Sequence, residues 1–239
     1  LKEPVLWWTH DHGRPDLYTL RVEVLCEGED RPSDVWETPF GVRVFEMRDY
    51  LAHLNGRRIY LRGQNYPPGD ARLATMTRER IEKDLALARE CNLNFLRVHA
   101  HVDHPLFYEA CDEQGVLLWQ DFPMQWHYRP EVELQAARQV RRMIFHLGSH
   151  PAIGVWCMHN EPIRQFDLHQ KFGPVAVARW LFSIFAWSQN RDRMDKRLAA
   201  KARHLDPHRF VSECSGERGL FREPGDLHSY YGWYFGPLH

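Results

Sequence analysis

Several absences narrow the field before any motif is considered. The five cysteines (Cys26, Cys91, Cys111, Cys157 and Cys214) include no C-x-x-C pair and are odd in number. Neither a disulfide framework nor a zinc knuckle is indicated, and a reducing compartment is the modest inference. Neither sign of charge dominates, with 31 Lys and Arg against 32 Asp and Glu. The basic excess of a dedicated nucleic-acid surface is therefore missing. Long hydrophobic runs are missing too. The most apolar stretch, Val175 to Trp187, is 13 residues long and contains Arg179; a bilayer crossing needs about 20, so a buried helix is expected and no membrane association. The chain opens Leu1-Lys2-Glu3-Pro4, without a basic stretch leading into an apolar core, and no signal peptide is expected. A cytoplasmic location follows, with periplasm or export as the alternative if the true amino terminus lies upstream.

What is present is an ordinary globular composition, 44% hydrophobic and 26% charged over 239 residues, enough for one large core or one and a half domains. Aromatic residues make up 13%, with nine Trp. A large aromatic core explains that simply; faces for stacking on sugars explain it as well.

Two textures meet near residue 50. Before it, Leu17 to Val24 and Phe40 to Met47 alternate with the period of half-buried strands, separated by the loop from Glu27 to Ser33. Residues 1–48 read as the end of an antiparallel sandwich, too few to close one alone. After a plausible hairpin turn at Leu54-Asn55-Gly56-Arg57, residues 49–239 alternate strand and helix. Strand candidates are Ile59 to Arg62, Phe95 to His99, Val116 to Asp121, Ile153 to Met158, Phe210 to Glu213 and Leu227 to Tyr231. A helix capped by Thr77 puts Ile81, Leu85 and Ala88 on one face; others span Pro105 to Gln114, Glu131 to Leu147, and Pro174 to His204 with a break near Asn190.

This alternation predicts an α/β fold with a parallel sheet, either doubly wound or closed as a (β/α)8 TIM barrel. Two details favour the barrel. Arg62-Gly63-Gln64-Asn65-Tyr66-Pro67-Pro68 is no Gly-rich dinucleotide cradle. Polar and aromatic residues instead follow nearly every strand, as in a barrel that collects its site from many strand ends. At roughly 30 residues per βα unit, the segment from Ile59 holds about six units, so the barrel is expected to be incomplete within this chain.

The most informative run is His150-Pro151-Ala152-Ile153-Gly154-Val155-Trp156-Cys157-Met158-His159-Asn160-Glu161-Pro162. A strand delivers Asn160 and Glu161 to the barrel mouth, and Pro162 ends it because proline donates nothing to a ladder. Glycoside hydrolysis needs a protonated carboxyl beside the departing oxygen and an amide that holds the sugar. An isolated Asn-Glu-Pro is also an ordinary helix cap; the flanking His-Pro and Trp156 weigh against that plainer explanation.

Taken together, the motifs resemble glycoside hydrolase family 2, the β-galactosidase, β-glucuronidase and β-mannosidase group. The matching runs are Leu54-Asn55-Gly56 with Leu61-Arg62-Gly63-Gln64-Asn65, Asn92-Leu93-Asn94-Phe95-Leu96-Arg97, Tyr108 to Gly115, Trp119-Gln120-Asp121-Phe122-Pro123 and His150 to Pro162. Asp16-Leu17-Tyr18 and Phe40-Gly41-Val42-Arg43 are similar to the family's immunoglobulin-like β-sandwich; Asp206-Pro207-His208-Arg209 and Ser229 to Tyr234 are similar to its later barrel strands.

The resemblance implies a retaining, exo-acting β-glycosidase with Glu161 as general acid/base and Asn160 holding the sugar's 2-hydroxyl. It matches Arg97 to the arginine beside the nucleophile, with a structural ion pair as the plainer alternative, and Tyr230 to a tyrosine near it, with aromatic packing as the alternative. His99, Asp121 and Trp233 are expected to line or support the sugar pocket. No cofactor is implied. The expected partner is a carbohydrate, with room for a homo-oligomer of the full-length enzyme. The family's nucleophile, a Glu ending the seventh strand, is not matched: Ser212-Glu213-Cys214-Ser215 falls on the fifth strand by count, so the nucleophile is expected beyond residue 239. Two other classes stay open. His99-Ala100-His101, with His104 nearby, has the H-x-H form of a metal-dependent barrel hydrolase, and a chain lacking a second carboxylate fits an inactive carbohydrate-binding fragment.

Overall fold

The structure is a computed structural model that describes residues 1–49, 51–126, 128–162, 174, 178, 190–216 and 228. Ten strands are described: β1 (Tyr18–Val24), β2 (Asp34–Phe40), β3 (Phe45–Arg48), β4 (Leu51–Leu54), β5 (Arg57–Arg58), β6 (Gly63–Tyr66), β7 (Phe95–Val98), β8 (Leu117–Asp121), β9 (Ile153–Cys157) and β10 (Phe210–Ser212). Four helices accompany them: α1 (Arg78–Glu90), α2 (Pro105–Gln114), α3 (Glu133–Leu147) and α4 (Lys196–Leu205).

Strands β6 to β10 form one sheet in unbroken sequence order. A doubly wound sheet reverses direction at a switch point, whereas a barrel winds one way. The five strands follow the barrel course, and the β9–β10 pair is parallel. β9 is buried along its whole length, as a strand covered on both faces requires. Each of its large apolar side chains contributes about 1.5–3 kcal/mol by leaving water.

The chain divides into two compact units. The first holds Leu1–Arg97, Asp103–Trp119 and His146–Gly154. Here Thr77 caps α1 by accepting the Arg80 N–H at 3.4 Å, and the apolar stripe of α1 buries Ile81 and Leu85 completely. Pro105 opens α2, where its missing N–H costs nothing, and Gly115 closes it. Asn55 and Gly56 both have positive φ and join β4 to β5 through a two-residue turn. The buried Asp112 ties this unit together. Its carboxylate accepts the Ala152 N–H at 2.9 Å and meets His150 Nδ1 at 2.6 Å, while its carbonyl accepts the Trp7 indole N–H at 2.7 Å.

The second unit holds the described residues of Val98–Val102, Gln120–Phe145 and Val155–His239. Ala136, Val140, Met143 and Ile144 recur at helical spacing as the buried face of α3. A π-helical turn, Asn190–Asp195, leads into α4. Between α4 and β10, Asp206 accepts the Trp156 indole N–H at 2.9 Å and pairs with Arg209 at 2.6 Å; the Arg209 guanidinium lies 5.8 Å from the Trp156 ring centroid.

Three expectations shift. The first strand of the parallel sheet is Gly63–Tyr66, not Ile59 to Arg62. Ile59 extends the hairpin instead, donating its N–H to the Ala52 carbonyl at 2.9 Å, and Arg62 bonds to Asn94. The Phe40 to Met47 strand is interrupted at residues 41–44, because the Val42 carbonyl accepts the Trp7 N–H and the Val44 N–H donates to Asn55. The β1–β2 hairpin forms, but Leu20, Val22, Val24 and Trp36 stay exposed, so its alternation marks a face without half-burying it. The expected strand Leu227 to Tyr231, apart from His228, and residues 175–177 and 179–189 of the expected helix from Pro174 lie outside the described residues.

Candidate active site

The second unit carries the chemistry. Beyond β9 the backbone continues as a ladder, with Asn160 bridged in the parallel sense to Gln125 on one side and Ser215 on the other. The Asn160 N–H donates to the Met124 carbonyl at 2.8 Å and its own carbonyl accepts the Trp126 N–H at 3.0 Å. On the other side, the Glu161 N–H donates to the Ser215 carbonyl at 2.8 Å and the Ser215 N–H to the His159 carbonyl at 2.9 Å. The Asn-Glu step is thus clamped between two neighbouring strand extensions.

Four successive strand ends then turn through the left-handed region. Ala100 follows β7 with φ 54°, Trp126 follows β8 with φ 62°, Glu161 follows β9 with φ 45° and Gly216 follows β10 with φ 86°. Three of these are not glycine, and each costs on the order of 1–3 kcal/mol that the surrounding hydrogen bonds must outweigh. Strain of this kind concentrates where side chains must be aimed.

Glu161 is 9% exposed and Asn160 2%. Glu161 Oε1 lies 2.6 Å from His228 Nδ1, and Ser215 Oγ lies 3.0 Å from His228 Nε2. A neutral imidazole serves both contacts in either tautomer. With the proton on Nδ1 it donates to a Glu161 carboxylate and accepts from Ser215; with the proton on Nε2 it accepts from a protonated Glu161. Gly216 makes room for this, since a Cβ there would stand 2.5 Å from His228 Nδ1 and 2.8 Å from Glu161 Cγ. The connectivity is that of a Ser-His-acid nucleophilic triad. However, Ser215 is 0% exposed, so its hydroxyl is buried as a support for the imidazole and does not face a substrate.

Behind this cluster His159 and Asp195, both 0% exposed, pair at 2.8 Å between Nδ1 and Oδ1. Burial pushes the Asp195 carboxyl above the usual range, with the bond to His159 pulling the other way. His159 Nε2 and Asp195 Oδ2 have no hydrogen-bond partner among the described residues. Tyr128 and His159 meet in a T-shaped arrangement, with ring centroids 5.8 Å apart.

Of the residues singled out from sequence, Asn160 and Glu161 stand together as expected from their adjacency. Asp121 is fully buried, and one of its oxygens accepts the Ala100 N–H at 3.0 Å, which holds the left-handed turn after β7. The half-buried His99 lies in the same turn, its carbonyl 3.0 Å from His101 Nδ1, and Gln120 donates to the His101 carbonyl at 2.7 Å. That contact makes His101 Nδ1 a donor to a carbonyl rather than a ligand, and among the described residues no three His, Cys, Asp or Glu gather as a metal site. Arg97, 8% exposed, lies 5.8 Å from the Trp119 ring centroid, a cation–π contact within the first unit. Glu213 pairs with Arg203 of α4 at 3.7 Å. Tyr230 and Trp233 lie outside the described residues.

Sequence reasoning missed Ser215, His228 and Trp126. Two of them sat inside runs already noticed: Ser215 ends the Ser-Glu-Cys-Ser run, and His228 falls within the expected strand Leu227 to Tyr231.

Comparison with known proteins agrees with the fold. Residues 45–235 match the family model described as glycosyl hydrolases family 2, TIM barrel domain, and residues 1–43 match glycosyl hydrolases family 2. Beta-mannosidase B of Aspergillus fumigatus is 29% identical across 98% of this chain. A beta-D-mannosidase from Dictyoglomus thermophilum superposes with a TM-score of 0.74 at 25% identity, covering 96% of this chain and 29% of that one. The beta-glucuronidase of Parabacteroides merdae gives 0.67 at 27% identity, covering 88% and 24%. The chain spans about 30% of the length of the mannosidase relatives it matches.

Proposed function

The chain belongs to glycosyl hydrolases family 2, and from that premise we propose that the complete enzyme is a retaining, exo-acting β-glycosidase acting on terminal β-linked sugars, with Glu161 as general acid/base. Galactosides, glucuronides and mannosides are the candidate substrates. The observation that carries the assignment is Glu161 itself: nearly buried, aimed by a left-handed strand end, adjacent to Asn160 and bonded to His228 at 2.6 Å.

In the first step Glu161 protonates the glycosidic oxygen while a second carboxylate attacks the anomeric carbon; in the second step Glu161, now ionised, deprotonates the water that releases the sugar. His228 can bond to Glu161 in both of its states, accepting from the protonated carboxyl when the ring proton is on Nε2 and donating to the carboxylate when it is on Nδ1. Asn160, clamped by backbone bonds to β8 and β10 extensions, suits the role of holding the sugar. Several carboxylates of this unit are bonded elsewhere: Asp121 to Ala100, Asp195 to His159, Asp206 to Trp156 and Arg209, Glu213 to Arg203, Glu133 to Arg197. The attacking carboxylate is proposed to lie outside the described residues.

The test is a series of β-glycosides with leaving groups of graded basicity, run on the complete enzyme and its Glu161→Gln variant. The variant should lose about 10²–10⁴-fold on basic leaving groups, the usual worth of general acid catalysis, and far less on a dinitrophenyl glycoside. An equal loss across the series sinks the assignment.

A further inference from the structure

Trp126 has no part in the scheme above, yet its placement is costly twice over. Its backbone is left-handed at φ 62°, which a bulky residue rarely adopts, and its side chain leaves 42% of the residue exposed. Of the residues near it, Phe122 is 2% exposed, Met124 4% and Asn160 2%, while Pro123 is exposed and Gln125 half-buried. A glycine would fit the turn without strain. Position supplies the compensation. The Trp126 N–H is bonded to the carbonyl of Asn160 at 3.0 Å, one residue before Glu161, so its backbone is fixed with respect to the proton donor.

Exposure rises from Asn160 through Glu161 to Trp126. An exo-acting enzyme encloses the terminal sugar and leaves the departing group towards solvent. Resting on the assignment of Glu161 as the acid, we propose that the exposed Trp126 indole is the platform for the leaving group, binding a flat ring with an apolar face. A second β-linked pyranose presents such a face through its axial C–H groups, and an aryl aglycone presents one through its π-system; an aromatic side chain matches either. Trp126 thereby sets specificity for what is attached to the terminal sugar.

The experiment compares three substrates of the same terminal sugar on the complete enzyme: the glycosyl fluoride, which has no leaving-group ring, the phenyl β-glycoside and the β-linked disaccharide. Trp126→Gly keeps the left-handed turn and removes the ring; Trp126→Phe keeps an aromatic face. In Trp126→Gly the ratio of kcat/KM for a ring-bearing substrate to that for the fluoride should fall about 3- to 10-fold, the worth of one aromatic contact, and Trp126→Phe should restore most of it. A fall confined to the disaccharide identifies a sugar, and one confined to the phenyl glycoside an aryl group; both support the platform. An equal change on all three substrates, or none on any, overturns it. Failure of the acid assignment shows separately, as a Glu161→Gln variant blind to leaving-group basicity.

Discussion

His228 Nδ1 stands 2.6 Å from Glu161 Oε1, and the two residues are 67 positions apart in the chain. Glu161 must be protonated in one step and ionised in the next, and the imidazole bonds to either form. His228→Ala should therefore lower kcat/KM on basic leaving groups by about 10- to 100-fold, the worth of a hydrogen bond to a charged group. Ser215→Ala, which removes a neutral bond, should cost about threefold to tenfold. Added imidazole should recover activity in His228→Ala if the ring acts by bonding to Glu161. Recovery by imidazole with no effect of Ser215→Ala would show that Ser215 is irrelevant to the tautomer.

Gly216 separates packing from chemistry in the same place. An alanine Cβ would meet His228 and Glu161 side-chain atoms, not backbone, and would sit at φ 86°. The left-handed turn costs about 1–2 kcal/mol with alanine, which lowers Tm by only a few °C in a protein of this size. The displaced carboxyl costs far more in rate, since a shift of about 1 Å at a reacting group can cost about 10²-fold. Gly216→Ala should thus be folded and nearly inactive. A variant of unchanged activity would show that neither side chain is held where the structure places it.

The legible part of the fold was the part written in local chemistry. Pro105 and the Thr77 cap gave the start of α2 and α1, Asn55-Gly56 gave its hairpin turn, and the unbroken apolar run of β9 gave a buried strand ending at Asn160-Glu161. β6 was displaced because Gly63-Gln64-Asn65-Tyr66 is polar and carries no hydropathy signal, while the apolar Ile59 and Leu61 beside it attracted the assignment. The site was half legible for a related reason. Glu161 and Asn160 are adjacent in sequence; Ser215 and His228 reach them only through the Asn160 to Ser215 bridge and a ring contact, neither of which has a local signature. Glu213, set aside from the sequence because it falls on the fifth strand, pairs with Arg203 of α4. Nothing in a tryptophan's identity announces a left-handed turn at Trp126.

Acid should weaken the fold through Asp206 and Asp11. Burial alone would raise Asp206, but the Arg209 charge and the bonds from Trp156, Arg209 and the His208 N–H outweigh it and hold the carboxyl below the usual range. Burial likewise opposes Asp11, and its bonds to His12, Thr9, Arg62 and Asn94 prevail. A carboxyl lowered by folding stabilises the native state above its unfolded pKa, and that contribution is lost as pH falls through the folded value. Tm should therefore be flat from pH 7 to 5 with respect to these groups and fall below about pH 4, where unfolded carboxyls protonate. Asp206→Asn keeps an acceptor for Trp156 and loses the charge. It should start from a lower Tm at pH 6 and show a shallower acid decline; an unchanged slope would assign the acid loss to other carboxyls.

The buried His159–Asp195 pair sets a different balance. Two polar groups with no exposure are stabilising only relative to one of them left alone, because an unpartnered buried group retains its full desolvation cost. Asp195→Ala leaves the His159 ring without its Nδ1 partner and should destabilise by about 2–4 kcal/mol. His159→Leu alone strands a carboxyl that burial already pushes up, and should cost a similar amount. The double variant Asp195→Ala with His159→Leu should lose less than the sum of the two, by about 1–3 kcal/mol of coupling. Urea denaturation of the four proteins measures the cycle. Because the His159 carbonyl accepts the Ser215 N–H and its peptide leads directly into Asn160, repacking the pair should restore stability without restoring rate. Additive losses would mean that the two side chains do not interact as placed.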